Sequence, residues 1–315
     1  MEQIVFLDRD SIRATLRQPG FPHEWTDYPS TSPDQIVPRL RDASIAIVNK
    51  VALGQRELEQ LPKLRLIAVA ATGYNLIDLD ACRHRGIAVT NVTGYAVHAV
   101  PEHALMLMLA LRRNLLGYVG EVASGEWERA RQFCLFDRPI RELHASTLGI
   151  VGYGTLGRAM ADVGSALGMR VIVAEHRDAD VVRAGRTAFP VLLRQSDVIS
   201  LHCPLTEETR GLIGGPELAA MKPSAILINT ARGGLVDETA LAAALRAGEI
   251  AGAGFDVLTG EPPINGNPLL DPGIPNLIVT PHNAWASDEA MQSLADQLME
   301  VIDAFAGGEP RNLVT

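Results

Sequence analysis

The chain has 315 residues, 47% of them hydrophobic and 21% charged, which is the balance of a globular protein and is long enough for two domains rather than one ordinary core. A net charge of −9 offers little to a polyanion, so nucleic-acid binding is not expected, and anionic substrates would need local cations to capture them. The longest apolar stretch, Ala104 to Leu111, stops at Arg112-Arg113, well short of the roughly 18 residues a membrane helix needs, and the start Met1-Glu2-Gln3-Ile4 lacks the basic residues of a secretory signal.

Along the chain, short β-branched runs alternate with turns and helical patterns, as in a parallel βα sheet. The predicted strands are Gln3–Leu7, Ile45–Val48, Leu66–Ala70, Ala88–Asn91, Leu148–Val151, Arg170–Ala174, Val198–Leu201, Ala225–Asn229, Gly252–Asp256 and Leu277–Val279. Most are apolar throughout, as strands covered on both faces should be. The first four form one block. A long apolar helix, Pro101–Leu116, links it to the other six, and a last helix, about Ser287 to Ala306, has no strand after it and is expected to pack back on the first block. The expected division is therefore 1–101 plus 286–315 for one domain and 102–285 for the other.

The segment Gly152-Tyr153-Gly154-Thr155-Leu156-Gly157 contains Gly-x-Gly-x-x-Gly between a predicted strand and an amphipathic helix, Leu156–Leu167. In that setting Gly152 permits a tight turn, Gly154 lets backbone approach a pyrophosphate, and Gly157 lets helix and strand pack closely. The helix N-terminus presents free N–H groups and a positive dipole end to phosphates. The next strand ends at Glu175, placed to hold both ribose hydroxyls, and a carboxylate there favours NAD over NADP. His176 and Arg177 follow; Arg177 either recruits a 2′-phosphate if Glu175 turns away or is a solvated surface charge.

Three later strands each run into a charged group. Ala225–Asn229 leads to Arg232-Gly233-Gly234, Gly252–Asp256 to Glu261-Pro262-Pro263, and Leu277–Val279 to Thr280-Pro281-His282. Ligands of open α/β sheets bind outside the carboxyl ends of the strands, so these three can share one crevice. Singly, each has a plain structural alternative as a salt-bridging arginine, a turn glutamate or a strand-ending histidine. Together they match the needs of hydride transfer to a 2-oxo acid. Arginine clamps a carboxylate with two parallel hydrogen bonds, histidine supplies a proton near neutrality, and glutamate orients the imidazole and favours its charged form.

These residues resemble those of the D-isomer-specific 2-hydroxyacid dehydrogenases. The resemblance spans nearly the whole chain and rests on Leu148–Gly157, Leu201-His202-Cys203-Pro204-Leu205-Thr206, Asn229–Val236, Gly254-Phe255-Asp256-Val257 and Thr280-Pro281-His282. It implies an α/β fold of two Rossmann-like domains with parallel sheets, the first (substrate) domain discontinuous and flavodoxin-like, and an active site in the cleft between them. It implies Arg232 as substrate clamp, His282 as acid/base and Glu261 as its partner. It implies that Ala71, Thr72 and Gly73 offer backbone N–H groups to the substrate carboxylate, where the residues alone allow an ordinary turn. It extends the cofactor contacts to Cys203, Pro204, Thr209, Thr230, Ala231, Arg232, Asp256 and His282, and it implies a homodimer formed through the cofactor domain.

Val100-Pro101-Glu102-His103, Phe136–Leu143 and Pro281–Ser287 are similar to bacterial hydroxypyruvate reductases, or glycerate dehydrogenases, which act on hydroxypyruvate and glyoxylate. Glu175, Pro101 and Asn283 depart from the usual Asp, Ala and smaller or apolar residue. Lys50 either lines the substrate cleft or is solvated. Trp285 and Trp127 either narrow the pocket or pack in a core or interface, and Cys203 is read as a buried packing residue.

Two other functions fit the same fold: a dinucleotide-sensing, corepressor-like binding protein, disfavoured by the short C-terminus, and a phosphite-type dehydrogenase. The three cysteines, Cys82, Cys134 and Cys203, form no disulfide pattern and fit a reducing cytoplasm, and no metal-ligand spacing occurs among them and the eight histidines.

Overall fold

The computed structural model describes all 315 residues. They form two compact units, Met1–Ala96 with Ala286–Thr315, and Val97–Trp285. The first unit holds β1 (Glu2–Phe6), β2 (His23–Asp27), β3 (Ile45–Val48), β4 (Leu66–Val69) and β5 (Ala88–Thr90) in one wholly parallel sheet of order β2-β1-β3-β4-β5. That is the flavodoxin-like order, with its reversal between β1 and β3. Every residue of β3 and β4 is buried, which explains their unbroken apolar sequence. Leu40, Leu53, Leu58 and Val89 belong to the core on one face. The helix Asp288–Ala306 lies on β4, burying Met291, Leu294, Ala295, Leu298, Met299 and Ile302 at helical spacing. Its N-terminus is capped by Ser287, whose hydroxyl accepts the Ala290 N–H at 3.1 Å.

Strand β2 has no counterpart among the expected strands. Its sequence, His-Glu-Trp-Thr-Asp, is polar and half exposed, because it pairs only with β1 at the sheet edge.

The second unit holds β6 (Thr147–Val151), β7 (Arg170–Val173), β8 (Val198–Leu201), β9 (Ile226–Asn229), β10 (Gly252–Phe255) and β11 (Leu277–Val279), all parallel, in the order β11-β10-β9-β8-β6-β7. One further parallel bridge, Ala174 to Thr187, is a vestigial strand beyond β7. Helices Phe189–Gln195, Gly215–Ala220 and Glu238–Ala247 bury one face. Helices Ala99–Arg112 and Thr155–Ala166 bury the other, through Ala104, Leu107, Met108, Leu111, Met160 and Ala161. The strand order reverses at β6, so the crevice at the carboxyl ends of β6 and β8 is the natural ligand site.

The linking helix is shorter than its apolar pattern. It ends at Arg112 because Asn114 adopts a left-handed backbone, φ 50°, and a separate helix, Leu115–Ala123, starts after it. That helix, the turn Glu126–Ala130 and the segment 133–141 form an arm. Asn114 and Tyr118 donate to the carbonyls of Pro139 and Arg138, and Arg138 pairs with the buried Glu121 at 2.5 Å. Leu115, Leu116, Val119, Val122, Phe133 and Phe136 are all exposed on it. No helix of the chain is long and apolar enough to cross a membrane.

Candidate active site

The turn after β6 has the geometry of a phosphate cradle, and its glycines differ in what they exclude. Gly152 sits at φ +90°, and a Cβ there would lie 2.5 Å from the Cys203 backbone nitrogen, so both torsion and the approach of the next strand demand glycine. A Cβ on Gly157 would strike the Gly152 carbonyl oxygen at 2.0 Å, so the helix could not seat on the turn. Gly154 meets nothing within 4 Å and faces open space. It is the N-cap of the 12-residue helix Thr155–Ala166, with no side-chain cap, so the first N–H groups remain available to an anion. Nearby, the buried hydroxyl of Thr230 and Nδ1 of His202 lack a partner in the chain. An open glycine, an uncapped helix and orphaned polar atoms at strand ends fit a dinucleotide.

A cavity of about 670 Å³ continues from this turn, lined by Gly152, Tyr153, Glu175, His176, Arg177, Arg183, Arg186, Cys203, Pro204 and Thr209 among others. Cys203 packs against the adjoining core, and burial pushes its thiol up to about 11, so it stays protonated. The Thr209 hydroxyl closes its own turn, donating to the Pro204 carbonyl at 2.7 Å. The Glu175 carboxylate does not face the cavity freely to hold ribose hydroxyls. It accepts from the His176 N–H at 2.9 Å and from Arg183 through backbone N–H, Nε and Nη2 at 3.1, 2.8 and 2.5 Å. Arg183 comes from the loop that precedes the vestigial strand, a placement no local pattern announces.

Arg232, Glu261 and His282 follow β9, β10 and β11, three adjacent strands of one sheet. The Arg232 turn is shaped by Asn229, fully buried at the end of β9; it accepts from the Ala231 N–H at 3.1 Å and donates to the Arg232 carbonyl at 2.9 Å. The loop carrying Glu261 is held by Glu238, which accepts from the Thr259 N–H at 2.7 Å and the Asn267 amide at 2.5 Å. One oxygen of Glu261 accepts the Leu258 N–H at 2.7 Å, and the other pairs with Nδ1 of His282. That pairing leaves Nε2 as the imidazole nitrogen directed elsewhere, and the carboxylate on Nδ1 fixes the orientation of the ring.

His282 itself sits at φ +53°, an unfavourable backbone for a non-glycine residue. The buried Asp256 holds it there, accepting the Asn283 and Ala284 N–H groups at 3.0 and 2.8 Å and the Thr280 hydroxyl at 2.6 Å. His103, on the helix Ala99–Arg112, reaches the same Thr280 oxygen at 2.9 Å. Because the Thr280 proton goes to the carboxylate, His103 Nε2 must be the donor in that contact. Burial pushes the His103 pKa down despite the neighbouring Asp256 carboxylate, keeping the ring neutral. Asp256 thus seats the histidine loop; His103, Thr280 and Asn229 stood in the quoted motifs without a role of their own, and Glu238 stood in none. A polar residue closing an apolar strand was the visible sign for Asn229 and Asp256; for His103 the only sign was its place in the stretch Val100–His103, which does not reveal its contact with Thr280. Trp285 latches the same loop, its indole N–H donating to the His282 carbonyl at 3.1 Å. Trp127 is half exposed on the arm and in no core.

In the first unit, Lys50 and Ala71–Gly73 follow the neighbouring strands β3 and β4. Asp8, buried at the end of β1, accepts the Asn49 N–H at 3.0 Å and the Lys50 N–H at 2.6 Å, which fixes the start of the Lys50 loop. Burial raises the Asp8 pKa even so. Asn91 donates to the Thr72 carbonyl at 2.8 Å and the Thr72 hydroxyl to the Val92 carbonyl at 2.9 Å, so the Ala71–Gly73 turn is held from behind. No group of three or more His, Cys, Asp or Glu residues is arranged to hold a metal ion.

The profile of the family described as D-isomer specific 2-hydroxyacid dehydrogenase, NAD binding domain, matches residues 105–284. The chain belongs to that family. The dehydrogenase is 52% identical over 314 residues to glycerate dehydrogenase of Methylorubrum extorquens, covering 99% of each chain. It is 36% identical over 287 residues to hydroxypyruvate reductase of Blautia hydrogenotrophica, covering 90% of this chain and 88% of that protein. Among solved structures, D-lactate dehydrogenase of Aquifex aeolicus, crystallised with NAD and lactic acid, superposes with a TM-score of 0.79 at 30% identity, covering 91% of this chain and 90% of that one. The dehydrogenase is therefore an NAD-binding oxidoreductase acting on the CH–OH group of 2-hydroxy acids, built from two Rossmann-like parallel sheets.

Proposed function

We propose that this enzyme reduces small 2-oxo acids, hydroxypyruvate and glyoxylate foremost, to the corresponding D-2-hydroxy acids, D-glycerate and glycolate. The observation that carries the reading is the Glu261–His282 pair on the strand beside Arg232, at the carboxyl edge of the sheet that bears the phosphate cradle. The names of the relatives in Methylorubrum and Blautia support the substrate class.

In this reading the Arg232 guanidinium holds the substrate carboxylate and polarises the adjacent carbonyl. A reduced nicotinamide, held by the Gly152–Gly157 turn, would supply the hydride that the carbonyl carbon takes. His282 gives its Nε2 proton to the carbonyl oxygen, and the Glu261 carboxylate on Nδ1 keeps the ring oriented. Solvent then returns the proton to His282. Thr230, Ala231 and Asp256, just past β9 and β10, would be the residues beside a bound nicotinamide, and Trp285 would border the substrate.

The test is absorbance decay of NADH with hydroxypyruvate, glyoxylate, pyruvate and phenylpyruvate. Expected are the highest kcat/KM values for the first two, and losses of about 10²–10⁴ in kcat for His282→Asn with NADH binding retained. Unchanged turnover in His282→Asn or Arg232→Ala would defeat the assignment.

We further propose that the enzyme is a cytoplasmic homodimer. The three unpaired cysteines fit a reducing compartment. The arm displays Leu115, Leu116, Val119, Val122, Phe133 and Phe136 together, a patch that a second copy of the same chain would bury. Val119→Glu should shift sedimentation from dimer to monomer.

A further inference from the structure

The first sheet does not leave its β5 edge open. Beyond the helix Asp288–Ala306 the chain turns back and runs antiparallel to β5, with Leu313 opposite Thr90 in a sheet that is otherwise parallel. The Val314 N–H donates to the Val89 carbonyl at 2.9 Å, the Val89 N–H to the Thr315 hydroxyl at 3.3 Å, and the Val314 side chain packs on the core below. Asn312 brackets Asn91, one residue past β5. Its carbonyl accepts the Asn91 N–H and its side-chain amide donates to the Asn91 carbonyl, both at 3.2 Å. It does so from a left-handed backbone, φ 54°, which asparagine adopts more readily than most residues.

Asn91 carries that grip to the turn after β4. Its buried side chain donates to the Thr72 carbonyl at 2.8 Å, while the Val92 N–H donates to the Ala71 carbonyl at 3.1 Å and the Thr72 hydroxyl to the Val92 carbonyl at 2.9 Å. A trans peptide is planar, with its C=O and N–H pointing opposite ways. Tying the Ala71 and Thr72 carbonyls to residues 91 and 92 therefore turns the N–H groups of Thr72 and Gly73 away from β5. Neither has an acceptor in the chain; Thr72 is exposed and Gly73 half-buried. Adjacent free N–H groups at the carboxyl end of a parallel strand form a grip for an anion such as a carboxylate.

We propose that the segment Asn312–Thr315 is a positioning element for the acid substrate, with Asn312 acting through Asn91 on the two peptides whose N–H groups meet the substrate carboxylate. Covering the edge of β5 accounts for the contacts at Val89. The hold on both backbone groups of Asn91 sets where its side chain stands, and that side chain sets the Thr72–Gly73 peptide. The proposal deepens the reductase reading and rests on its substrate being a small acid.

The experiment measures kcat and KM for glyoxylate, and NADH binding by fluorescence, in the unaltered full chain and in Asn91→Ala, Asn312→Gly and the double variant. Glycine at 312 keeps the left-handed backbone and the carbonyl contact and removes only the amide. Losing the alignment of one hydrogen bond to a charged group is worth about tenfold, so KM for glyoxylate should rise about tenfold in Asn91→Ala. Asn312→Gly should raise it about threefold, and Asn312→Asp, which cannot donate, should match. The NADH Kd should stay within about twofold in all of them. Because Asn312 acts through Asn91, the double variant should be no worse than Asn91→Ala alone, a non-additivity that a merely structural role does not produce. An unmoved KM in Asn91→Ala, or an Asn312→Gly loss that persists in full beside Asn91→Ala, overturns the proposal and leaves the reductase reading standing. A lowered thermal midpoint in Asn312→Gly with KM unmoved overturns it too, since the segment then only covers an edge. No turnover of any 2-oxo acid by the unaltered protein defeats the reductase reading and the proposal with it.

Discussion

The link from His103 through Thr280 to Asp256 makes a quantitative prediction. Replacing Thr280 with Val keeps the shape and removes the hydroxyl that donates to the buried Asp256 carboxylate at 2.6 Å. A hydrogen bond to a charged group contributes about 1.5–3 kcal/mol, and the orphaned His103 N–H adds roughly 1–3 kcal/mol of unmet desolvation, so a loss of about 3 kcal/mol is expected once non-additivity is allowed for. His103→Leu alone removes one neutral bond and should cost about 1–2 kcal/mol. In the double variant the orphan disappears, so the combined loss should fall short of the sum by about 1 kcal/mol or more. Urea denaturation at pH 7, read by circular dichroism with unchanged m-values, measures all three. Activity adds a second readout: kcat should fall about tenfold or more in Thr280→Val, because the seat of His282 loosens, while Thr280→Ser restores it and KM for NADH stays. Additive losses within about 0.5 kcal/mol, or a Thr280→Val variant as stable as the parent, would refute the chain of contacts.

Three further outcomes follow from the same structure. Gly154→Ala should leave thermal stability nearly unchanged, since its Cβ meets nothing within 4 Å, yet weaken NADH binding at least tenfold; Gly157→Ala, with its 2.0 Å clash, should lower both, as titration and thermal melts would read. Burial holds His202 neutral, its pKa pushed down to about 4 from 6.5. A histidine depressed in the folded state is protonated first in the unfolded chain, so stability should decline as pH falls from about 6.5 to about 4, by roughly 3 kcal/mol in total, and His202→Asn should flatten that slope in denaturant midpoints. Glu261→Gln should lower kcat with NADH binding retained, because the imidazole loses the carboxylate that holds its Nδ1; an unchanged kcat would mean that Glu261 only braces the loop.

What the sequence determined by itself was local or periodic. Apolar runs such as Ile45–Val48 and Ile226–Ile228 mark strands covered on both faces, since only burial makes unbroken apolar runs favourable. Gly152 and Gly157 are legible because a turn torsion and a backbone clash leave one residue type. Arg232, Glu261 and His282 were legible because each stands just past an apolar strand, where chemistry in such sheets gathers. Strand β2 escaped because an edge strand buries too little to need a pattern. The helix through Arg112 ran on in expectation because apolar spacing does not register a left-handed Asn114.

Tertiary structure alone decided the rest, through hydrogen bonds between groups far apart in the chain. His103 meets Thr280 across 177 residues, and Asp256 grips backbone N–H groups 27 and 28 residues further on. Whether Glu175 faces a ribose or an arginine depends on where the loop carrying Arg183 returns to the sheet. A carboxylate has the same letter in either case; its partners, and hence its role, exist only once the fold has brought them within hydrogen-bonding range.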